Sequence, residues 1–391
     1  MFVNRDHEDY ASSIRDLALK RDIHGLGLPE YAGALPTGIT DFLRESAVFR
    51  NIAPESHGGT DSISHWMVAL REVGALCSTT AHVMTTHSMA VYAFRLAGEH
   101  DKKREMFQAM IRLDKQSCFC LTEPDGGTDA GNLKTLAVKT DGGYLVSGEK
   151  CMIINAGFAD YFLVAARLAD VVGYDGITLF LLEKDAAGLH VHDGDKTMGL
   201  RGLPVNRISF NRVFAPEACL VGAPGGGWKV LMKVLDRTRP GVAAATLGAG
   251  RTALEKAVLY TRGRTVFGKP LSKYQTTTNR IADLALRLEA AWLLTAQAAA
   301  RLDQGLDPSV SSSYAKIAGT EAALEAANLA LQMHGGYGYL EAYGLERICR
   351  DLRISTIYDG TNEILRGIVA GGVSKLIVEA AESRKKEPTD A

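Results

Sequence analysis

Apolar positions along this chain change their spacing twice. In the first third they fall at helical intervals, as in "DSISHWMVALREVGALCSTTAHVM" and "SMAVYAFRLAGEHDKKREMFQAMIRL". Pro54 and the Gly58-Gly59 pair interrupt this stretch. From Cys118 to about Gly222 the pattern becomes short runs rich in Val, Ile, Leu and Phe, separated by turn residues. "LAVKTDGGYLVSGEK", "YFLVAARL", "GITLFLLEK" and "RISFNRVFAP" are the clearest. Asp141-Gly142-Gly143 between two such runs predicts a hairpin. From Gly225 helical spacing returns. "NRIADLALRLEAAWLLTAQAAARL" and "YAKIAGTEAALEAANLALQMHGG" predict two long helices, the second stopped by its glycines. The tail "ESRKKEPTDA" is polar and is expected to fray. The pattern predicts an α+β chain in three parts: helical over 1–117, β over 118–222 and helical over 223–391.

Composition narrows the classes of function. At 391 residues the chain is long for a single core. Its formal net charge of −1 gives no field to draw nucleic acid or an anionic membrane. No run reaches the ~20 uncharged apolar residues of a membrane span, and the first residues show no secretory pattern. The expectation is a cytoplasmic protein whose cysteines, at 77, 118, 120, 151, 219 and 349, are buried free thiols. Cys118-x-Cys120 has no second pair to complete a zinc site, and His190 and His192 on one strand face are satisfied surface residues. No metal is expected.

Three motifs carry candidate chemistry, and each has a plainer reading. "GAGRTA" (Gly248 to Ala253) is half of a dinucleotide fingerprint, but it lies inside continuous helix with no strand before it. A phosphate-binding turn needs strand, loop and helix N-terminus in that order, so these glycines are assigned to close helix packing. "CLTEPDGGTDAGNL" (Cys120 to Leu133) runs from strand into a glycine loop whose free N–H groups and hydroxyls suit a phosphate or a polar ring edge; alone it reads as an ordinary turn. "ISTIYDGTNEILRG" (Ile354 to Gly367) holds Asp359, which is either a base or the first residue of an Asp-Gly turn.

Taken together and in order, these segments resemble the acyl-CoA dehydrogenase family along nearly the whole chain. The matches are Thr122 to Asp129 (T-E-P-x-x-G-[ST]-D), "GEKCMIIN" at Gly148 to Asn155, and "MGLRGLPVNRISFNRVFAP". "DRTRPGVAAATLGAG" with Arg264, Phe267, Gly268 and Gln275 follows, then "QMHGGYGY" at Gln332 to Tyr339 and "IYDGTNEI" at Ile357 to Ile364. Each is weak alone; six collinear matches are strong. The resemblance implies a helical N-terminal domain, a β-barrel-like middle domain, a C-terminal four-helix bundle, and a homotetramer or homodimer with FAD between subunits.

Carried over position by position, the resemblance implies that the segment from Phe119 through Leu121, Thr122, Gly127 and Thr128 runs along the flavin and its diphosphate. Met152, Ile153 and Ile154 lie against the isoalloxazine. Arg264, Phe267 and Gln275, with Gln332, Gly335 and Gly336, resemble the contacts to the cofactor of a neighbouring subunit; a guanidinium there suits a diphosphate. Thr361 and Glu363 close over the adenosine part. Asp236, Thr238, Arg239 and Gly360, with Thr128, line the acyl-thioester site.

Asp359 stands where many members of the family have glutamate, the base that takes the α-proton while hydride leaves the β-carbon for flavin N5. Such a base needs a dry pocket that raises its pKa, and the thioester carbonyl is polarised by the backbone N–H of the same residue and a ribityl hydroxyl. Aspartate is one methylene shorter, roughly 1.5 Å of reach. The alternative position of the base in the family is Thr238 here, which cannot serve, so Asp359 is the assigned catalytic residue. Met152 replaces an aromatic residue and Ile154 a hydroxyl donor, and these changes suggest a branched, polar or carrier-protein-tethered acyl group rather than an ordinary fatty acid. The expected reaction is α,β-dehydrogenation of an acyl thioester on CoA or a carrier protein. Electron-transfer flavoprotein or another acceptor takes the electrons. The alternatives are a flavin oxidase resembling nitroalkane oxidase, which also has aspartate followed seven residues later by arginine (Arg366 here), and a degraded flavoprotein acting only as a partner.

Overall fold

A computed structural model describes residues 5–23, 35–98 and 103–386. The helices of the first third are α1 (Arg5–Lys20), α2 (Thr37–Ser46), α3 (Ile63–Leu76), α4 (Ser78–Leu96) and α5 (Arg104–Ile111). Seven strands follow: β1 (Ser117–Cys120), β2 (Leu136–Thr140), β3 (Gly143–Ile154), β4 (Tyr161–Leu168), β5 (Ile177–Glu183), β6 (Leu189–Gly194) and β7 (Val205–Pro216). The last part holds α6 (Gly227–Gly263), α7 (Gln275–Asp303), α8 (Ser309–His334), α9 (Leu345–Arg353) and α10 (Asn362–Lys386). The helical, β, helical order therefore matches the spacing of apolar residues. Helix α10 runs into the tail that was expected to fray, and residues 387–391 lie outside the described part.

The sheet runs β1-β4-β2-β3-β7-β6, with β5 on the other side of β4. Strands β4 and β5 are apolar at almost every position because both faces are covered. Phe162, Val164, Phe180 and Leu182 join one cluster with Cys118, Val146, Ile208 and Val213 from the other strands. Leu163, Ala165, Leu179 and Leu181 pack instead into the large helical core. A sheet whose one face packs onto itself must curl, which gives the barrel-like middle part. The Asp141-Gly142 turn joins β2 to β3 in an antiparallel pair, with Gly142 at φ 74°.

The large core joins the first helices to the last ones. Helices α3 and α6 touch backbone to backbone: a Cβ on Gly74 would lie 2.1 Å from the Ala245 carbonyl oxygen, and one on Gly248 2.1 Å from that of Arg71. The "GAGRTA" glycines thus serve helix packing. Glu72, wholly buried between these helices, accepts from Arg15 and, through both carboxylate oxygens, from Arg251.

The cysteine expectation holds only in part. All six are free, and Cys77, Cys118 and Cys120 are buried, but Cys151, Cys219 and Cys349 keep part of their surface open. Cys151 stands on a strand beside a bulge and Cys349 on a short amphipathic helix, where one side faces outward. His192 Nε2 lies 2.6 Å from Ser209 Oγ on the sheet surface. Among the described residues no helix is long and apolar enough to cross a membrane, and no group of His, Cys, Asp or Glu could hold a metal ion.

Candidate active site

Asp359 is both a turn residue and a buried acid. Its φ is 59° and that of Gly360 is 91°, left-handed backbone that Asp tolerates and Gly adopts freely. The residue keeps part of its surface open, yet its carboxyl is packed deep among protein atoms. Burial pushes its pKa up, against the pull of Arg239, Thr238 and Lys316. Thr238 Oγ1 donates to Asp359 Oδ2 at 2.8 Å.

Pro240 lies inside α6, the helix that meets this turn. A proline inside a helix has no N–H for the carbonyl four residues earlier, here Asp236. Ser312 Oγ of α8 takes that place, donating to Asp236 O at 2.6 Å. Arg239, 5% exposed, donates from Nη1 to Asp236 Oδ1 at 2.9 Å and from Nε to the Asp359 carbonyl at 3.3 Å. Asp236, Thr238, Arg239, Asp359 and Gly360 therefore form one constellation; Thr128, expected at the same site, makes none of these contacts.

Sequence reasoning missed two members of it. Lys316 on α8 is buried and donates to the Gly360 carbonyl and to Asn362 Oδ1, both at 2.9 Å. Burial lowers its pKa to about 8, against the raising effect of Asp359. Asn362 in turn donates to Thr320 and Glu321. The lysine near the start of "YAKIAGTEAALEAANLALQM" offered only a break in an otherwise apolar face. Arg366 pairs with Glu321 at 2.7 Å, so the Asp359 and Arg366 spacing does not make an Asp–Arg pair.

A second constellation forms where the Thr122 loop meets β3. Glu123 and Gly126 exchange backbone hydrogen bonds, closing a tight turn, and Gly127 and Thr128 stand exposed. The buried Glu123 carboxylate anchors the loop. It accepts from Lys134 N, Thr135 N and Lys150 Nζ, the last at 2.7 Å, and Lys150 also donates to the Leu121 carbonyl. Cys151 N donates to Thr122 O, so the loop lies directly beside β3. There the β3–β7 register slips between Lys150 and Ile153, and Met152 adopts φ 56°. The bulge throws Met152 outward, leaving it 61% exposed, while Ile153 is buried and Ile154 packs half-buried against the helical core. Leu121 is buried and Phe119 packs against the same core.

The third constellation is at the far ends of α6 and α8. Arg264, Gln332, Gly335 and Gly336 line a cavity of about 410 Å³. Phe267, at the tip of a two-residue hairpin, is 95% exposed, and Gln275 opens α7 at the surface. Thr361 Oγ1 accepts from Ile364 N at the start of α10, and Glu363 is exposed beside it.

These residues fit a flavin dinucleotide. An exposed apolar side chain on a bulge, beside a loop edged with hydroxyls and N–H groups, suits an aromatic ring system with a polar rim. An unburied guanidinium at the mouth of a cavity suits a diphosphate.

Known proteins match this chain along most of its length. The model of the acyl-CoA dehydrogenase middle domain matches residues 118–213, and that of the acyl-CoA dehydrogenase C-terminal domain matches residues 225–374. An acyl-CoA dehydrogenase of Bacillus subtilis (strain 168) is 33% identical over 372 residues, 95% of this chain and 98% of that protein. The solved butyryl-CoA dehydrogenase of Megasphaera elsdenii superposes with a TM-score of 0.90 at 30% identity, covering 95% of this chain and 98% of that one. A solved structure of PigA with FAD and proline superposes at 0.87 with 25% identity, covering 95% and 98%.

Proposed function

This chain belongs to the acyl-CoA dehydrogenase family, and from that premise we propose that it carries out FAD-dependent α,β-dehydrogenation of an acyl thioester with Asp359 as the base. The observation that carries the reading is the desolvated Asp359 carboxyl, held against α6 by Thr238. Desolvation makes a carboxylate more basic, which is what removal of a proton from carbon requires. The α-C–H bond breaks, its proton passes to an Asp359 oxygen, and its electron pair forms the Cα–Cβ double bond. FAD, when bound, accepts the hydride that leaves the β-carbon.

The remaining residues position the reactants. The Thr122 to Thr128 loop and Met152 hold the ring system, and Ile154 stands beside it without a hydroxyl to offer. Arg264 and Gln275, with Phe267, Gln332, Gly335 and Gly336, reach the cofactor of a neighbouring subunit, and Thr361 and Glu363 the adenosine side. Exposed Phe267, Tyr339, Leu376 and Ile377 support a homo-oligomer, because apolar surface of this kind is normally covered. Arg239 and Lys316 fix the backbone of the 359–360 turn, so that the Asp359 N–H can meet the thioester carbonyl. The acyl carrier is CoA or a carrier protein, and electron-transfer flavoprotein is the electron acceptor. The site is too complete for a degraded flavoprotein.

Anaerobic mixing of the purified flavoprotein with acyl-CoAs, carrier-bound acyl groups and nitroalkanes tests this reading. Bleaching by thioesters alone is expected. Bleaching by nitroalkanes alone would overturn it, and oxygen uptake with peroxide release on thioesters would make the protein an oxidase.

A further inference from the structure

Two polar side chains near Asp359, each with a buried polar atom, have no part in proton abstraction. His82 lies on α4 and is 2% exposed. Its Nδ1 is 2.7 Å from the Ser78 carbonyl, which can only accept, so Nδ1 carries the proton. Burial lowers the His82 pKa to about 4, so the ring is neutral near pH 7 and Nε2 is a bare acceptor. That atom is buried without a partner. The Tyr358 ring stacks on His82, with centroids 5.6 Å apart and planes at 28°. The Tyr358 phenol oxygen is also buried without a partner, and burial raises its pKa, so it remains a donor.

One acceptor and one donor thus stand together, unpaired, on the residue next to the base and on the helix packed against it. Such groups are nearly always paired in proteins, so two of them on stacked rings beside the proposed base point to a polar ligand group. Their setting is the site itself. Thr85, one turn along α4 from His82, comes within 3.7 Å of where a Gly241 Cβ would stand, and Gly241 is three residues after Thr238.

We propose that His82 Nε2 and Tyr358 Oη bind a hydroxyl- or nitrogen-bearing substituent of the acyl group, close to the carbon that Asp359 deprotonates. The proposal rests on the reading of Asp359 as base. A hydroxyl, or an amine in its neutral form, can donate to Nε2 and accept from the phenol at once. A plain alkyl chain leaves both unpaired, and sites built to hydrogen-bond a substituent reject the analogue that lacks it far more strongly than apolar pockets reject an extra methylene.

The test compares straight-chain acyl-CoAs with counterparts carrying a hydroxyl or amino group at the γ or δ carbon. In the flavin-loaded wild type, flavin reduction should favour a substituted thioester by ~10²-fold or more. Tyr358→Phe and His82→Phe keep a ring in the stack; each should erase tenfold or more of that preference, read as the ratio of substituted to straight-chain reduction rates. Binding is read separately in Asp359→Asn protein, from the flavin spectral shift on adding each thioester. An Asp359→Asn protein that still reduces its flavin would remove the base reading alone, because the binding preference is measured independently. No binding preference for any substituted thioester, or an equal loss for both classes in the ring variants, would overturn the proposal: a bridging water or a structural role would then account for the pair.

Discussion

Thr238 Oγ1 reaches across 121 residues of sequence to donate to Asp359 Oδ2 at 2.8 Å, and lies 3.3 Å from its own-helix carbonyl at Leu235. A hydroxyl has one proton to give, and an ionised carboxylate is the stronger acceptor. Thr238 thus tunes the carboxyl proposed as the base. This bond lowers the Asp359 pKa while burial raises it. Thr238→Val keeps the shape and removes the donor, so the pH at which flavin reduction switches on should move upward. Below that pH the rate should fall about fivefold, the scale of one hydrogen bond. Stopped-flow reduction across pH reads this directly; an unmoved profile would mean the bond is not made in solution.

Arg264→Ala should lose FAD. The side chain is exposed and lines a cavity, so its removal costs the protein little packing but takes away the match to a diphosphate. Absorbance after dialysis measures the flavin left per chain. Full retention of flavin would count against the placement of the cofactor.

Ile154→Thr puts a hydroxyl at the proposed flavin site. Faster flavin reduction or altered oxygen reactivity is expected, on the scale of about 1 kcal/mol or roughly fivefold. Both half-reactions are measurable by stopped flow. If neither changes, Ile154 does not face the reactive edge of the ring.

Glu72 ties α1, α3 and α6 into one unit. Burial raises its pKa, but hydrogen bonds and charge from Arg251 and Arg15 outweigh that and bring it to about 2, from an ordinary 4.5. A folded-state pKa below the unfolded one stabilises the fold above about pH 4.5, and the benefit drains away as pH falls towards 2. The difference corresponds to about 3 kcal/mol. Glu72→Gln should lose stability of that order at pH 7 and flatten the decline below pH 4.5, read from denaturant midpoints. Parallel pH slopes for both proteins would contradict the assignment.

Apolar spacing made the order of helices and strands legible because each part buries its side chains in its own period. The close packing at Gly248 was legible too, since a helix without a preceding strand leaves glycines little else to do. The supports of the site were not. Lys316 and Glu123 act through contacts made across 44 and 27 residues of chain, to Gly360 and Lys150. The Met152 bulge comes from a register slip against β7 that no local pattern in "GEKCMIIN" announces. His82 and Tyr358 are 276 positions apart, and neither residue type marks the other. Turn chemistry and catalysis at Asp359 looked like competing readings only because a sequence does not show that a left-handed turn can also bury its carboxyl.

The central claim is that Asp359 is the base, and anaerobic flavin reduction in the Asp359→Asn protein tests it most directly. Asparagine keeps the turn and nearly the volume, so fold and FAD content should be unchanged. Reduction by substrate should fall by the ~10²–10⁴-fold that a positioned base contributes. Asp359→Glu, measured alongside, should also slow reduction, because a longer acid would displace the carboxylate from the Thr238 hydrogen bond. If the asparagine variant bleaches at the wild-type rate, Asp359 is only a turn residue and the account of the site is wrong.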